Sequence, residues 1–339
     1  MSWLGEDVDD DDKYADYEAR SRPNPKGNRA RTKIRPEHSD AVTGRVFTVD
    51  RGRYSVLIGD GADEHSATAS RASELRKQAI VTGDYVDLVG DTSGDEGSLS
   101  RIVRIQPRTT MLRRSADDSD EVERIIVANA DQMLIVVAAA NPEPRPRLVD
   151  RYLVAAFDAG LKPILCITKT DLADPTSFLA NFAALDVTVV TSGEGAMPTD
   201  QIRQLLAGHT TVAVGHSGVG KSTLVNALVP DANRAIGRVN TVTGRGRHTS
   251  SSTISYRVGT GWIIDTPGVR SFGLGHVKTE NILTAFTDLA VIAEDCPRGC
   301  THLADAPDCA MNERIEAGEL GEAGKTRLDS FQRLLASLT

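Results

Sequence analysis

The sequence predicts a multidomain α/β chain: a small all-β unit, then a mainly parallel sheet with helical crossovers, then a helical C-terminal unit. Three observations predict it. Residues 42–106 hold short alternating apolar runs parted by Gly/Asp/Ser turns, with no helical crossover among them. Residues 133–228 instead interleave apolar strands with helical periodicity, as parallel strands require. Near the C-terminus three of the four cysteines fall within fourteen residues, ahead of an amphipathic stretch. At 339 residues the chain is long enough for two or three cores.

Residues 1–40 read as a tail. Residues 1–19 carry eight acidic side chains against one lysine, and residues 20–35 carry seven Arg/Lys and no acid. Such composition buries too little apolar surface to offset chain entropy, so disorder is expected. The basic half reads as a phosphate-binding arm for RNA, with a solvated linker as the alternative. Residues 41–107 form the all-β unit. Gly44–Leu57 reads as two strands around a turn at Asp50–Gly52, and Asp84–Gly90 and Leu99–Ile105 supply two more, enough for a small barrel. Arg51, Arg53, Arg101 and Arg104 either track an RNA backbone or form the solvent face of the strands.

Residues 108–283 carry the parallel sheet. Arg147–Gly160 places Leu148, Tyr152, Leu153 and Phe157 on one helical stripe between strands at 133–138 and 163–167, a βαβ crossover. Thr211–Val214 reads as a buried strand, Lys221–Leu228 as a helix and Gly261–Asp265 as a further strand. Residues 284–339 close the chain, with Leu328, Phe331, Leu334, Leu335 and Leu338 along one helical packing face.

The chemistry begins between strand and helix. Gly215-His216-Ser217-Gly218-Val219-Gly220-Lys221-Ser222-Thr223 fits the pattern G-x-x-x-x-G-K-[ST]. Its glycines let successive backbone N–H groups turn toward phosphate oxygens, Lys221 supplies a point charge, and the Ser222 hydroxyl suits Mg²⁺. Asp265, at the end of its strand, suits the metal's water shell, and Gly268 lacks the Cβ that would keep its N–H from a γ-phosphate. The polar, glycine-punctuated run 244–253 reads as a mobile loop that γ-phosphate and Mg²⁺ order through a hydroxyl such as Thr249 or Ser250. Upstream, Thr168-Lys169-Thr170-Asp171 is a K-x-D element: Asp171 accepts from the N–H groups that guanine presents and adenine does not, and the Lys169 stem covers base and sugar. The strand and small-residue loop through Ser192 back the base.

In chain order these are base reader (168–171), base support (191–193), phosphate loop (215–223), switch-like loop (244–253) and D-x-x-G (265–268), the reverse of the ordinary GTPase order. The arrangement resembles the circularly permuted GTPases. Over about residues 42–339, including the run Asp265–Leu274 and the C-terminal Cys/His cluster, it is most similar to the ribosome small-subunit-dependent GTPase A (RsgA) family. That resemblance implies an N-terminal OB-type β-barrel, a circularly permuted P-loop GTPase domain and a C-terminal helical zinc-binding domain. It also implies a GTP hydrolase acting in late maturation of the small (30S) ribosomal subunit, with the subunit, its 16S rRNA and GTP/GDP as partners. Two positions depart from the family pattern. Thr168 stands where Asn is usual, which weakens or removes one guanine contact. In Cys296-x-x-x-Cys300-x-His302-…-Cys309 the first gap is one residue shorter and the last one longer than usual, with the span kept. Three thiolates and an imidazole still make a closed set for one structural Zn²⁺.

Val269 follows Gly268 where many GTPases place a water-orienting glutamine, so slow intrinsic turnover is expected. His248 is a candidate to complete the site, the alternative being a purely electrostatic mechanism built on Lys221, Mg²⁺ and backbone N–H groups. A second functional class stays open: an RNA-binding checkpoint module in which nucleotide only locks conformation. The net charge of −8 confines any nucleic-acid surface to local patches. With no run of eighteen apolar residues and no signal-like N-terminus, a membrane partner is not expected. Clustered cysteines suit a reducing compartment, so a cytoplasmic protein is expected, and as no dimer seam shows in the sequence, a monomer.

Overall fold

Nine-residue strand β1 (Val42–Asp50) organises the N-terminal half, because it takes part in two sheets' worth of pairing at once. A computed structural model describes residues 38–115, 123–230, 253–266, 272 and 274–338. The strand is bulged between Val46 and Thr48, and the bend lets its start pair with β4 (Tyr85–Gly90) and its end touch β12 (Ile254–Val258). Strands β2 (Arg53–Ile58), β3 (His65–Arg71) and β5 (Ser100–Ile105) complete the order β1-β2-β3-β5-β4, closed by the β1–β4 pairing. This is a five-stranded barrel of OB type, filled by Val46, Val56, Val86, Leu88 and Ile102. The turn Arg51–Gly52 has φ of 43° and 84°, the left-handed pair that a tight hairpin demands. Four of the five strands are those expected from the sequence; β3 is not, because its inward side chains are only Ala67 and Ala69, too small to register as an apolar alternation.

A hairpin of β6 (Met111–Ser115) and β7 (Glu123–Ala128) leads into the parallel sheet. That sheet runs β10 (Thr188–Thr191), β9 (Lys162–Thr168), β8 (Gln132–Ala138), β11 (Thr210–Val214), β13 (Gly261–Asp265), with β12 antiparallel at the side that meets the barrel. Every residue of β8 is buried, because helices cover both faces. Met133, Ile135 and Val137 face one core, with α1 (Pro146–Asp158), α5 (Thr279–Leu283), α6 (Thr287–Ala293), α7 (Ala310–Glu316) and α8 (Gly321–Ala336). Leu134, Val136 and Ala138 face the other, with α3 (Thr199–Leu206) and α4 (Lys221–Leu228); a short α2 (Thr176–Leu179) follows β9. The expected crossover is β8–α1–β9, with β8 and β9 parallel.

The barrel is fixed to this sheet by a stacked cation pair. The guanidinium carbons of Arg45 (β1) and Arg257 (β12) lie 4.3 Å and 4.5 Å from the ring centroid of Trp262 in β13. Burial pulls the pKa of Arg45 down to about 10, still far above neutrality, so its charge persists. Arg257 also pairs with Glu64 of the barrel, and the Thr82 hydroxyl donates to the carbonyl of Thr253 at 3.1 Å. Behind the barrel, Arg108 grips fully buried Asp84 through two nitrogens, at 2.6 Å and 2.8 Å. Arg108→Ala would leave that carboxylate buried with, among the described residues, only the Val81 N–H to satisfy it. The expected cost is about 3–5 kcal/mol, read as a lowered urea midpoint; a midpoint unchanged from wild type would show that water reaches Asp84.

Candidate nucleotide-binding site and metal centre

The parallel strands all point their carboxyl ends at one edge, and the motifs sit there because each begins where a strand stops. Thr168 ends β9, Val214 precedes Gly215, and Asp265 ends β13, with Ala213 of β11 in register with Asp265. In the loop 215–220 each glycine has a geometric reason. A Cβ on Gly215 would stand 2.5 Å from the Val136 carbonyl oxygen, while Gly218 and Gly220 have φ of 83° and 91°. Gly220 caps α4, so Lys221, Ser222 and Thr223 form its first turn, where unpaired N–H groups and the helix dipole favour an anion. Val219 is buried, while Ser217, Gly218, Ser222 and Thr223 are exposed and His216 is half-buried. Lys221 is 8% exposed and ion-pairs with Asp265 through Nζ and Oδ1.

The base-reading element is tied to the same loop. Lys169, in the left-handed region at φ 57°, donates from Nζ to the Gly218 carbonyl at 2.8 Å and to that of Asn141. Thr168 is buried, with its hydroxyl on the Val219 carbonyl at 2.5 Å. Ser192 is buried between two main-chain bonds: its N–H donates to Ile167 at 2.8 Å, and its carbonyl accepts from Thr170 at 3.2 Å. The next turn brings the Glu194 N–H to Asp171 Oδ1 at 2.8 Å. Oδ2 of exposed Asp171 has no hydrogen-bond partner among the described residues and can accept from a ligand. Asn141 and Glu194 were absent from the sequence expectations, since each contributes a backbone group that leaves no signature of residue type. Gly268, Val269, His248 and Thr249, like residues 1–37, lie outside the described residues.

At the other end of the chain, Cys296, Cys300, His302 and Cys309 converge. Their four donor atoms all lie within 4.8 Å of one another, with Cys296 Sγ 4.0 Å and His302 Nδ1 3.9 Å from Cys309 Sγ. Tetrahedral bonds of about 2.3 Å set ligand atoms about 3.8 Å apart, so the set fits one ion. Burial lowers the pKa of His302 against the pull of Glu280, which favours the neutral ring whose lone pair a metal needs. The Gln332 side chain fixes the His302 carbonyl at 3.0 Å and Asn312 at 2.9 Å, an orienting shell around the ligands. Cys166 stands apart in β9, wholly buried, its thiol pushed up to about 12 by desolvation, and is a packing residue.

Among known proteins, a family model described as RsgA GTPase matches residues 105–275. The small ribosomal subunit biogenesis GTPase RsgA of Pseudomonas aeruginosa is 36% identical over 269 residues, covering 77% of this chain and 76% of that protein. That of Chromohalobacter salexigens is 35% identical over 308 residues, covering 87% and 86%. Among solved structures, YloQ, a circularly permuted GTPase, aligns with a TM-score of 0.62 at 24% identity, over 89% of this chain and 96% of its own. YjeQ from Thermotoga maritima aligns with a TM-score of 0.63 at 23% identity, over 88% and 98%. These two likenesses speak to fold alone.

Proposed function

Since this chain belongs to the RsgA GTPase family, we propose that it hydrolyses GTP to GDP and phosphate in late maturation of the small ribosomal subunit, slowly alone and faster on the subunit. One observation carries the nucleotide half: Lys169 of the base reader and Thr168 before it both bond to carbonyls of the phosphate loop. Base and phosphate recognition are thus one rigid piece despite the permuted chain order. Asp171, backed by Ser192 and the Glu194 N–H, reads the base. The loop 215–220, Lys221 and Thr223 hold the phosphates. Ser222 and Asp265 would hold Mg²⁺, which supplies neutralising charge to the β- and γ-phosphates.

On this reading the barrel (41–107) and the zinc-binding unit (284–339) carry the contacts to 16S rRNA. Arg51, Arg53, Arg101 and Arg104 are exposed on the barrel, while of its aromatics Tyr54 is buried, Phe47 is half-buried and Tyr85 is exposed; four cations beside one exposed ring favour backbone recognition over base stacking. The protein acts as a cytoplasmic monomer; no helix among the described residues is long and apolar enough to cross a membrane. Gly268 and Thr249 would meet the γ-phosphate and its metal, and His248 or a group from the subunit would orient water where Val269 cannot.

The test is steady-state phosphate release from GTP and from ATP, with and without purified small subunits. GTP-selective release rising at least about tenfold with subunits is expected. Binding without a rise would favour the checkpoint reading, in which nucleotide serves as a conformational lock. Equal ATP turnover would remove Asp171 as base reader.

A further inference from the structure

Thr168 stands where β9 gives way to the K-x-D element, and its side chain is engaged below the phosphate loop. The hydroxyl lies 2.5 Å from the Val219 carbonyl and 3.3 Å from that of Val137. A hydroxyl has one proton to donate, and the shorter contact takes it. The side chain is also confined. Thr168 is 5% exposed, and a Cβ on Gly220 would come 3.5 Å from its oxygen and 3.7 Å from its methyl. It therefore fills the space between the loop and β8, leaving no rotamer that keeps the Val219 bond while turning a proton outward. Guanine, along the edge that carries N7 and O6, offers acceptors only. An oxygen whose proton is spent has nothing to give them. Asp171 is the converse case, an acceptor with Oδ2 unengaged among the described residues, suited to the N1–H and exocyclic amine.

We infer that Thr168 is a bolt for the phosphate loop and not a base reader, so that guanine N7 goes unrecognised by this position and base selection rests on Asp171. The inference builds on the guanine-nucleotide site proposed above. It separates two jobs that a carboxamide at position 168 could perform together. One amide nitrogen carries two N–H donors, enough to hold Val219 and still reach the base; one hydroxyl cannot.

The experiment is calorimetric titration of the full-length protein with GDP, 7-deaza-GDP, in which C–H replaces N7, and IDP, which lacks the exocyclic amine. Wild type is expected to bind 7-deaza-GDP within about twofold of GDP and IDP at least about tenfold more weakly. Thr168→Asn is expected to create a preference for GDP over 7-deaza-GDP of about fivefold. Thr168→Val, which removes the bolt, should weaken both by the same factor, and Thr168→Ser should restore them. A wild-type preference for GDP over 7-deaza-GDP above about fivefold would overturn the inference, as would IDP binding equal to GDP. Failure of wild type to bind GDP at all is a different result, and would bring down the nucleotide site itself.

Discussion

Lys221→Ala is expected to lower kcat/KM for GTP by at least about a hundredfold while the protein stays folded. The Lys221 ammonium sits in the first turn of α4, is 8% exposed, and is paired with Asp265. Phosphate oxygens arriving at the loop find this cation already immobilised and partly desolvated, where charge acts through a lower dielectric than water. As negative charge spreads over the transferred phosphoryl oxygens, a fixed cation stabilises the transition state more than the ground state. Removal has a second effect: Asp265 then faces the phosphates uncompensated, so GDP affinity falls too. Lys221→Arg keeps the charge but replaces a point donor by a wide planar fork, and should rescue little. Phosphate release and GDP titration, beside far-UV circular dichroism to verify folding, decide it. Turnover within about threefold of wild type would show that the backbone N–H groups carry the phosphates unaided.

The elements legible in the sequence are those in which side-chain chemistry and local geometry agree. Lys221–Leu228 is a helix to the residue, because the glycine turn at 220 fixes its start and Leu224, Val225 and Leu228 give it one buried stripe. The apolar run 133–138 within β8 could only be an interior strand of a covered sheet. Strand β3 was not legible, since His65–Arg71 has no large apolar residue and is held by its pairing to β2 and β5. Nor was the β6–β7 hairpin, which is stabilised by Leu112 and Val127 entering the same core as α1. The site divides the same way. Its charged and glycine positions are written in residue types, whereas the Asn141 carbonyl and Glu194 N–H are placed by loops whose conformation is tertiary. The direction of the Thr168 hydroxyl belongs to this second group. Sequence shows that Asn is missing there; only the packing under Gly220 shows what the threonine does instead.

Stripping the metal centre is expected to unseat the C-terminal helices while leaving the nucleotide site standing. Cys309 is the N-cap of α7, and its Sγ lies 4.0 Å from that of Cys296, so the ligand set holds the 296–302 loop against the start of that helix. Met311 in turn packs in the core that holds Phe331 and Leu334 of α8. From α8, Arg333 reaches buried Asp150 of α1 at 3.1 Å, and Arg327 reaches Asp288 at 2.7 Å. Loss of the ion leaves three sulfurs and an imidazole to be satisfied by neighbours that are mostly apolar, and binding energy that had been folding energy disappears. Cys309→Ser is the sharper variant, because Cys309 is the buried ligand and the one within reach of two others. Metal analysis should find about one zinc per chain in wild type and almost none in the variant. The melting temperature should fall by roughly 10 °C or more, as a loss of several kcal/mol implies for a protein of this size. GDP affinity should change by less than about threefold, since α4 and the loop rest on the opposite core, with Leu134, Val136 and Leu224. A variant that kept both its zinc and its melting temperature would show that these four side chains hold no metal. One that lost GDP binding as well would show that the two faces of the sheet fold as a single unit.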